Sequence, residues 1–299
     1  MVTALPQLEG VIAFPVTPFS TSGDLDLQGL SDNLDRLLAH PLAAIVAAGG
    51  TGEVYSLSER EHDEVVRTTV QRADGRTPVF AGTGGNLGSA TAMARQAADA
   101  GATAILALPP SYPNADADGL LAYYQAIGAA TPLPLIVYSR DWVNPGAALV
   151  ERMADAIPTL AVWKDGTGDI RRYQQIMARL GHRLQWVGGA GDDLVGAYYR
   201  LGIRAYTSSI ANVAPALSQA LHDAAVGGDE GRLRALLDTL VVPLYELRGR
   251  RKGYEVSAMK AMMAMQGQAA GPVRAPLVEV HGPELDQLRD ILERWRDYV

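Results

Sequence analysis

Eight short β-rich runs, each followed by a stretch of helical periodicity, alternate through most of this 299-residue chain, and few folds accept that pattern. The runs are Val11–Thr17, Ala44–Gly49, Val79–Gly82, Ala104–Leu108, Leu135–Ser139, Ala161–Lys164, Gln185–Gly189 and Ala205–Ser208. Between and after them lie helical patterns at Gln28–Ala39, Glu59–Arg72, Ala90–Ala100, Leu120–Ala129, Ala148–Ala156, Ile170–Leu180, Asp193–Arg200 and Pro215–Val226. The second opens on Ser58 with Glu61 three residues on, the signature of a capping box. Strands joined by helical crossovers pair in parallel and are covered on both faces. Eight βα pairs in about 220 residues predict a (β/α)8 TIM barrel, an α/β fold, in preference to an open doubly wound sheet. Residues 1–228 make the barrel, and 229–299 read as about three additional C-terminal helices packed on it, one structural unit in all.

Barrels of this kind carry their chemistry where strands end and loops begin. The second run ends in Gly49-Gly50-Thr51-Gly52-Glu53, the fourth in Pro109-Pro110-Ser111-Tyr112-Pro113 and the fifth in Tyr138-Ser139-Arg140-Asp141. The sixth ends in Lys164-Asp165-Gly166, the seventh in Gly188-Gly189-Ala190-Gly191-Asp192 and the eighth in Thr207-Ser208-Ser209. Lys164 closes the apolar run Leu160-Ala161-Val162-Trp163. A lysine so placed loses hydration and becomes the neutral amine that attacks carbonyls, whereas an isolated one would pack its stem and keep its head in water. Tyr138, one strand away, should point into the barrel mouth and relay protons to an imine or enamine. Gly50 and Thr51 offer backbone N–H groups and a hydroxyl to a carboxylate. Arg140 presents a planar fork to a second one, the alternative being a surface pair with Asp141. Ser139, Gly189, Thr207, Ser208 and Ser209 complete the expected substrate-binding set.

Composition excludes several classes. A hydrophobic fraction of 48% with 20% charged residues supports a large core and not a disordered chain. Zero cysteines remove disulfides, thiolate metal sites and cysteine nucleophiles. The five histidines, His40, His62, His182, His222 and His281, lack metal-ligand spacing, so no metal is expected. A net charge of −7 argues against nucleic acid as a partner. The basic cluster Arg248, Arg250, Arg251 and Lys252 reads as a solvated or interface patch. No apolar stretch reaches the roughly 18 residues of a membrane span, and the N-terminus lacks the pattern of a signal peptide. The expectation is a cytoplasmic protein with no membrane partner.

Together, Pro15-Val16-Thr17-Pro18-Phe19, Gly49-Gly50-Thr51-Gly52-Glu53, Tyr138 and Lys164, in order at strand ends, resemble the dihydrodipicolinate synthase / N-acetylneuraminate lyase superfamily. Within it the chain is most similar to the 5-dehydro-4-deoxyglucarate dehydratase (2-keto-3-deoxyglucarate dehydratase) subgroup. That likeness rests on Gly50, on Trp163-Lys164-Asp165-Gly166-Thr167-Gly168-Asp169, and on Pro243-Leu244-Tyr245 followed by Arg250-Arg251-Lys252-Gly253-Tyr254. The resemblance implies a lysine nucleophile at Lys164, a proton relay at Tyr138, carboxylate binding at Gly50 and Thr51, and a Tyr112 that reaches into a neighbouring subunit's site. It further implies a homodimer or homotetramer, a sugar-acid substrate, and no cofactor beyond the covalent lysine imine. Two positions depart from the pattern. Ser139 stands where the subgroup commonly has asparagine, and Val143 falls where a true synthase carries the arginine for its aldehyde substrate. The expected reaction is a decarboxylating dehydration through the imine, the alternatives being a retro-aldol cleavage of another 2-keto acid or a silent sugar-acid-binding barrel.

Overall fold

The computed structural model describes residues 5–299 and closes eight parallel strands into a barrel in sequence order. They are β1 (Gly10–Ala13), β2 (Ala44–Ala47), β3 (Val79–Gly85), β4 (Ala104–Pro110), β5 (Leu135–Ser139), β6 (Leu160–Asp165), β7 (Gln185–Gly188) and β8 (Ala205–Ser208), with β8 paired back onto β1. Alternation along each strand sorts the side chains. Ile12, Val46, Phe80, Leu106, Ile136 and Val162 fill the barrel interior, while Val11, Val137, Trp163 and Tyr206 pack outward against the helices. The same parity turns Tyr138 and Lys164 inward, and the two are register partners across β5 and β6.

β1 stops at Ala13, four residues before the expected end at Thr17. Pro15 has no N–H for the ladder, and the next donor, the Val16 amide, goes to the Asn212 side chain at 2.9 Å. β3 and β4 run past their expected ends, to Gly85 and Pro110. Helices α1 (Leu27–Leu38), α2 (Glu59–Ala73), α3 (Leu87–Asp99), α4 (Ala117–Ala129), α5 (Ala147–Ala156), α6 (Ile170–Leu180), α7 (Val195–Arg200) and α8 (Pro215–Val226) follow the strands in turn. Their starts are set by caps: Ser58 and Glu61 form the expected box on α2, and the Asn86 side chain accepts from Ser89 at 2.9 Å, beginning α3 before Ala90.

Beyond the barrel, α9 (Glu230–Leu236) passes through a π-helical turn at Leu237–Val241 into α10 (Val242–Arg248), followed by α11 (Tyr254–Met265) and α12 (Pro283–Arg294). Pro243 brings no N–H to the junction, and a wider turn accommodates that loss. Because α9 and α10 form one continuous path, the segment is three rods, as expected. Leu244, Met262, Leu288 and Trp295 share a buried cluster with Trp163 and Tyr206 of the barrel's outer face. Among the described residues no helix is long and apolar enough to cross a membrane.

One buried contact ties this segment to the barrel mouth. Glu53, in the left-handed region at φ 55°, is fully buried. Its carboxylate sits 2.6 Å from Lys260 Nζ and accepts the Arg274 backbone N–H at 2.9 Å. The Arg274 guanidinium continues outward to Glu61, whose carboxyl that hydrogen bond holds down at about 2. Removing one member of a buried pair strands the other. Lys260→Met should therefore cost ~3–5 kcal/mol, read from the urea unfolding midpoint. Glu53→Gln added to Lys260→Met should recover much of that loss.

Candidate active site

Lys164, one residue before the end of β6, is only 2% exposed, with its Nζ donating to the Gly189 carbonyl at 3.0 Å and lying 3.1 Å from the centre of the Tyr138 ring. Burial is the main cause that carries its pKa well below the ordinary lysine value, and the Arg140 charge pushes the same way against the opposing pull of Asp165. Burial thus favours the neutral amine over the ammonium at this position. The Tyr138 hydroxyl donates to the same carbonyl at 3.3 Å. Burial raises the Tyr138 phenol and Arg140 partly offsets it, so the group is a protonated acid at rest. Gly189 has no side chain because a Cβ there would fall on Lys164, and a Cβ on Gly166 would fall on the Tyr138 ring. Asp165 holds the next turn, accepting from the amides of Thr167 and Gly168 and from Tyr198 at 2.7 Å.

Lys164 opens into a cavity of about 470 Å³. On the β2 side, Glu53 and Val54 donate back to the carbonyls of Gly50 and Gly49, and the Thr17 hydroxyl donates to Gly52 at 2.7 Å, so the loop is fixed. Among the described residues the Gly50 and Thr51 amides find no acceptor of their own, and both residues line the cavity. Arg140 stands over this cradle: a Cβ built on Gly50 would lie 2.8 Å from its Nη1. Its Nε is already paired with Asp141 at 2.8 Å.

The β7–β8 side carries residues that the sequence reading passed over. Asp192 is fully buried, with its Oδ2 3.0 Å from the Tyr245 hydroxyl, while its backbone N–H donates to that oxygen at 2.7 Å. Arg248 donates to Ser209 Oγ at 3.1 Å and lies 4.8 Å from the Tyr245 ring centre. Tyr245, Arg248, Lys252 and Glu255 all line the cavity. The basic cluster read as a solvated or interface patch is thereby corrected in part, since Arg248 and Lys252 face the site. Tyr245 and Lys252 lie in the stretches that resemble the dehydratase subgroup, whereas Arg248 falls between them.

Of the expected residues, Lys164, Tyr138, Arg140, Gly50, Thr51, Gly189, Thr207, Ser208 and Ser209 line one cavity. The Ser208 hydroxyl lies 2.8 Å from that of Ser218 and accepts the Ala211 backbone N–H at 3.1 Å. Ser139 is corrected: it faces outward, opposite in parity to Tyr138, and its hydroxyl donates to the Val143 carbonyl at 3.0 Å. Tyr112 stands outside the cavity, 65% exposed on the loop after β4.

The Dihydrodipicolinate synthetase family model matches residues 7–295. The chain belongs to that family. Curated relatives include probable 5-dehydro-4-deoxyglucarate dehydratases from Rhodococcus opacus, 37% identical over 98% of this chain and 99% of the relative, and from Xanthomonas campestris, 38% identical over 95% and 93%. Among solved structures, dihydrodipicolinate synthase from Bacillus clausii superposes with a TM-score of 0.91 at 28% identity, covering 97% of this chain and 98% of that one. Membership in this family of lyases makes the chain an enzyme, and the mouth of the barrel is where its polar groups gather.

The buried Asp192 offers a pH test. Burial raises its carboxyl to about 6, with hydrogen bonds from Ser208 and Tyr245 and the Arg248 charge pulling back. The folded chain holds this proton more tightly than the unfolded one, so its stabilising contribution is full below about pH 4 and is lost as pH rises through 6. Asp192→Asn cannot ionise and keeps an oxygen for Tyr245. It should gain on the order of 3 kcal/mol relative to the parent between pH 4 and 7. Unfolding midpoints across that range check this, and a constant offset would contradict it.

Proposed function

We propose that this enzyme is a decarboxylating dehydratase that converts 5-dehydro-4-deoxy-D-glucarate to 2,5-dioxopentanoate, carbon dioxide and water through an imine on Lys164. The observation that carries the reading is a buried lysine amine, its pKa carried well below the ordinary lysine value, against the Tyr138 ring and hydroxyl, with two unspent amides, Gly50 and Thr51, in the same cavity. The names of the relatives supply the substrate.

Lys164 Nζ adds to the C5 ketone, and Tyr138 protonates the departing carbinolamine hydroxyl, leaving an iminium ion. The phenolate so formed, favoured by the neighbouring Arg140 charge, takes a C4 proton and gives the enamine. The enamine pushes out the C3 hydroxyl, which leaves as water on receiving that proton. The resulting C3=C4 bond is conjugated with the iminium, so the electron pair of the breaking C1–C2 bond runs through it to nitrogen as carbon dioxide departs. Reprotonation at carbon, ketonisation of the C2 enol and hydrolysis release the product and restore Lys164. No separate cofactor is required. The carboxylate beside the ketone sits on Gly50 and Thr51 under Arg140.

A synthase reading fits poorly, because Val143 is fully buried and is an apolar side chain where the aldehyde-gripping arginine would be needed. In the homo-oligomer that the family likeness implies, the exposed Tyr112 is the residue offered to a neighbour's site.

Borohydride reduction in the presence of the keto acid, followed by peptide mapping, should label Lys164 alone. Lys164→Met should lower turnover ~10³-fold or more and, by deleting a buried amine, raise the unfolding midpoint at pH 7. Carbon dioxide released from keto-deoxyglucarate supports the dehydratase, whereas pyruvate released from keto-deoxygluconate or N-acetylneuraminate would replace it with an aldolase.

A further inference from the structure

A six-carbon keto diacid brings a second carboxylate to the far end of the cavity, and the groups already assigned do not meet it. Arg140 is on the near side, over Gly50, and shares its charge with Asp141. The hydroxyl of Ser208 carries no charge and is shared with Ser218 and Asp192. Lys164 is the nucleophile. What remains is the β7–β8 side of the ring, away from the β2–β5 side that holds Gly50 and Arg140.

Two cations that line the cavity are still unassigned, and Arg248 is tied to Ser209, directly after β8. Neither Arg248 nor Lys252 has a carboxylate oxygen within 4.0 Å among the described residues, whereas most arginines of this chain are paired. Arg248 is also held in place. Its Nη1 is anchored on Ser209 Oγ, its guanidinium lies on the Tyr245 ring, and Tyr245 is fixed by two contacts to Asp192. A guanidinium fastened on one edge keeps its other N–H donors in a fixed fork, the arrangement that binds a carboxylate with two hydrogen bonds. Lys252, exposed at the rim, adds a point charge that attracts an anion without orienting it.

We propose that Arg248, assisted by Lys252, binds the far carboxylate of a 2-keto diacid whose keto end is on Lys164, and that this contact selects diacids over mono-acids of the same length. This clamp deepens the reading of the site as one for a sugar diacid. It also bears on release. Breaking the C1–C2 bond turns the clamped end into a neutral aldehyde, so the product lacks the charge by which the substrate was held.

The test needs only ligands and one position. Calorimetric affinities of 2-oxoadipate and 2-oxohexanoate compare a carboxylate with a methyl group at the far end of the same six-carbon chain. The wild-type enzyme should prefer the diacid by ~10-fold or more, and a series of 2-keto diacids from four to seven carbons should bind best near six. Arg248→Gln should bring the 2-oxoadipate preference close to unity, Arg248→Lys should restore part of it, and Lys252→Ala should reduce it less. A wild-type enzyme without preference, a flat length series, or an Arg248→Gln enzyme that keeps the preference would overturn the clamp. Borohydride trapping on Lys164 is scored separately. If no keto acid is trapped, the imine reading fails while the affinity ratio still decides the clamp.

Discussion

A lysine amine buried in the mouth of a parallel barrel must be held by something that does not ionise it, and here the Gly189 carbonyl does so. A carboxylate in that place would favour the ammonium, whereas a carbonyl accepts from a neutral amine and leaves the nitrogen lone pair for an electrophile. This contact limits what can surround it. Position 189 must lack a side chain, Gly166 must yield to the Tyr138 ring, and that ring covers the amine's other face. Asp165, one residue on, is kept at a distance by spending its oxygens on the Thr167 turn and Tyr198.

The same economy appears at the C-terminal segment. A barrel could close without α9 to α12, yet this segment supplies Lys260 and Arg274 to hold Glu53 beneath the amide cradle, and Tyr245 and Arg248 to the opposite wall. The helices are therefore part of the site as well as of the core. The π turn that accommodates Pro243 lies one turn ahead of Tyr245 and sets the path along which that tyrosine and Arg248 reach the mouth.

Much of this was legible in the sequence, for a physical reason. Strand parity and the rule that barrel chemistry lies at strand ends place Lys164, Tyr138, Gly50 and Thr207 without coordinates. Parity applied strictly would also have turned Ser139 outward, since it follows the inward Tyr138. Asp192 and Arg248 were harder to see. An aspartate in a glycine-rich loop and an arginine in a basic run are ordinary surface features, and only the tertiary path of α10 brings them together over Tyr245. Strand ends erred where proline or a side-chain acceptor took over a backbone donor, as at Pro15 and Asn212.

Charge explains why the far wall matters. The chain carries a net charge of −7, so a dianion approaching at random meets a repulsive surface. Attraction has to be local, and under the proposed imine chemistry Lys164 cannot provide it, because an ammonium there would be inert. Arg140 cannot supply all of it either, since it is partly neutralised by Asp141 and lies over Gly50. The cation that binds a second carboxylate must therefore stand apart from the amine, far enough not to depress it further and on a scaffold that fixes its direction. Arg140 already pushes the Lys164 amine down, whereas Arg248 is tied to Ser209 and the Tyr245 ring.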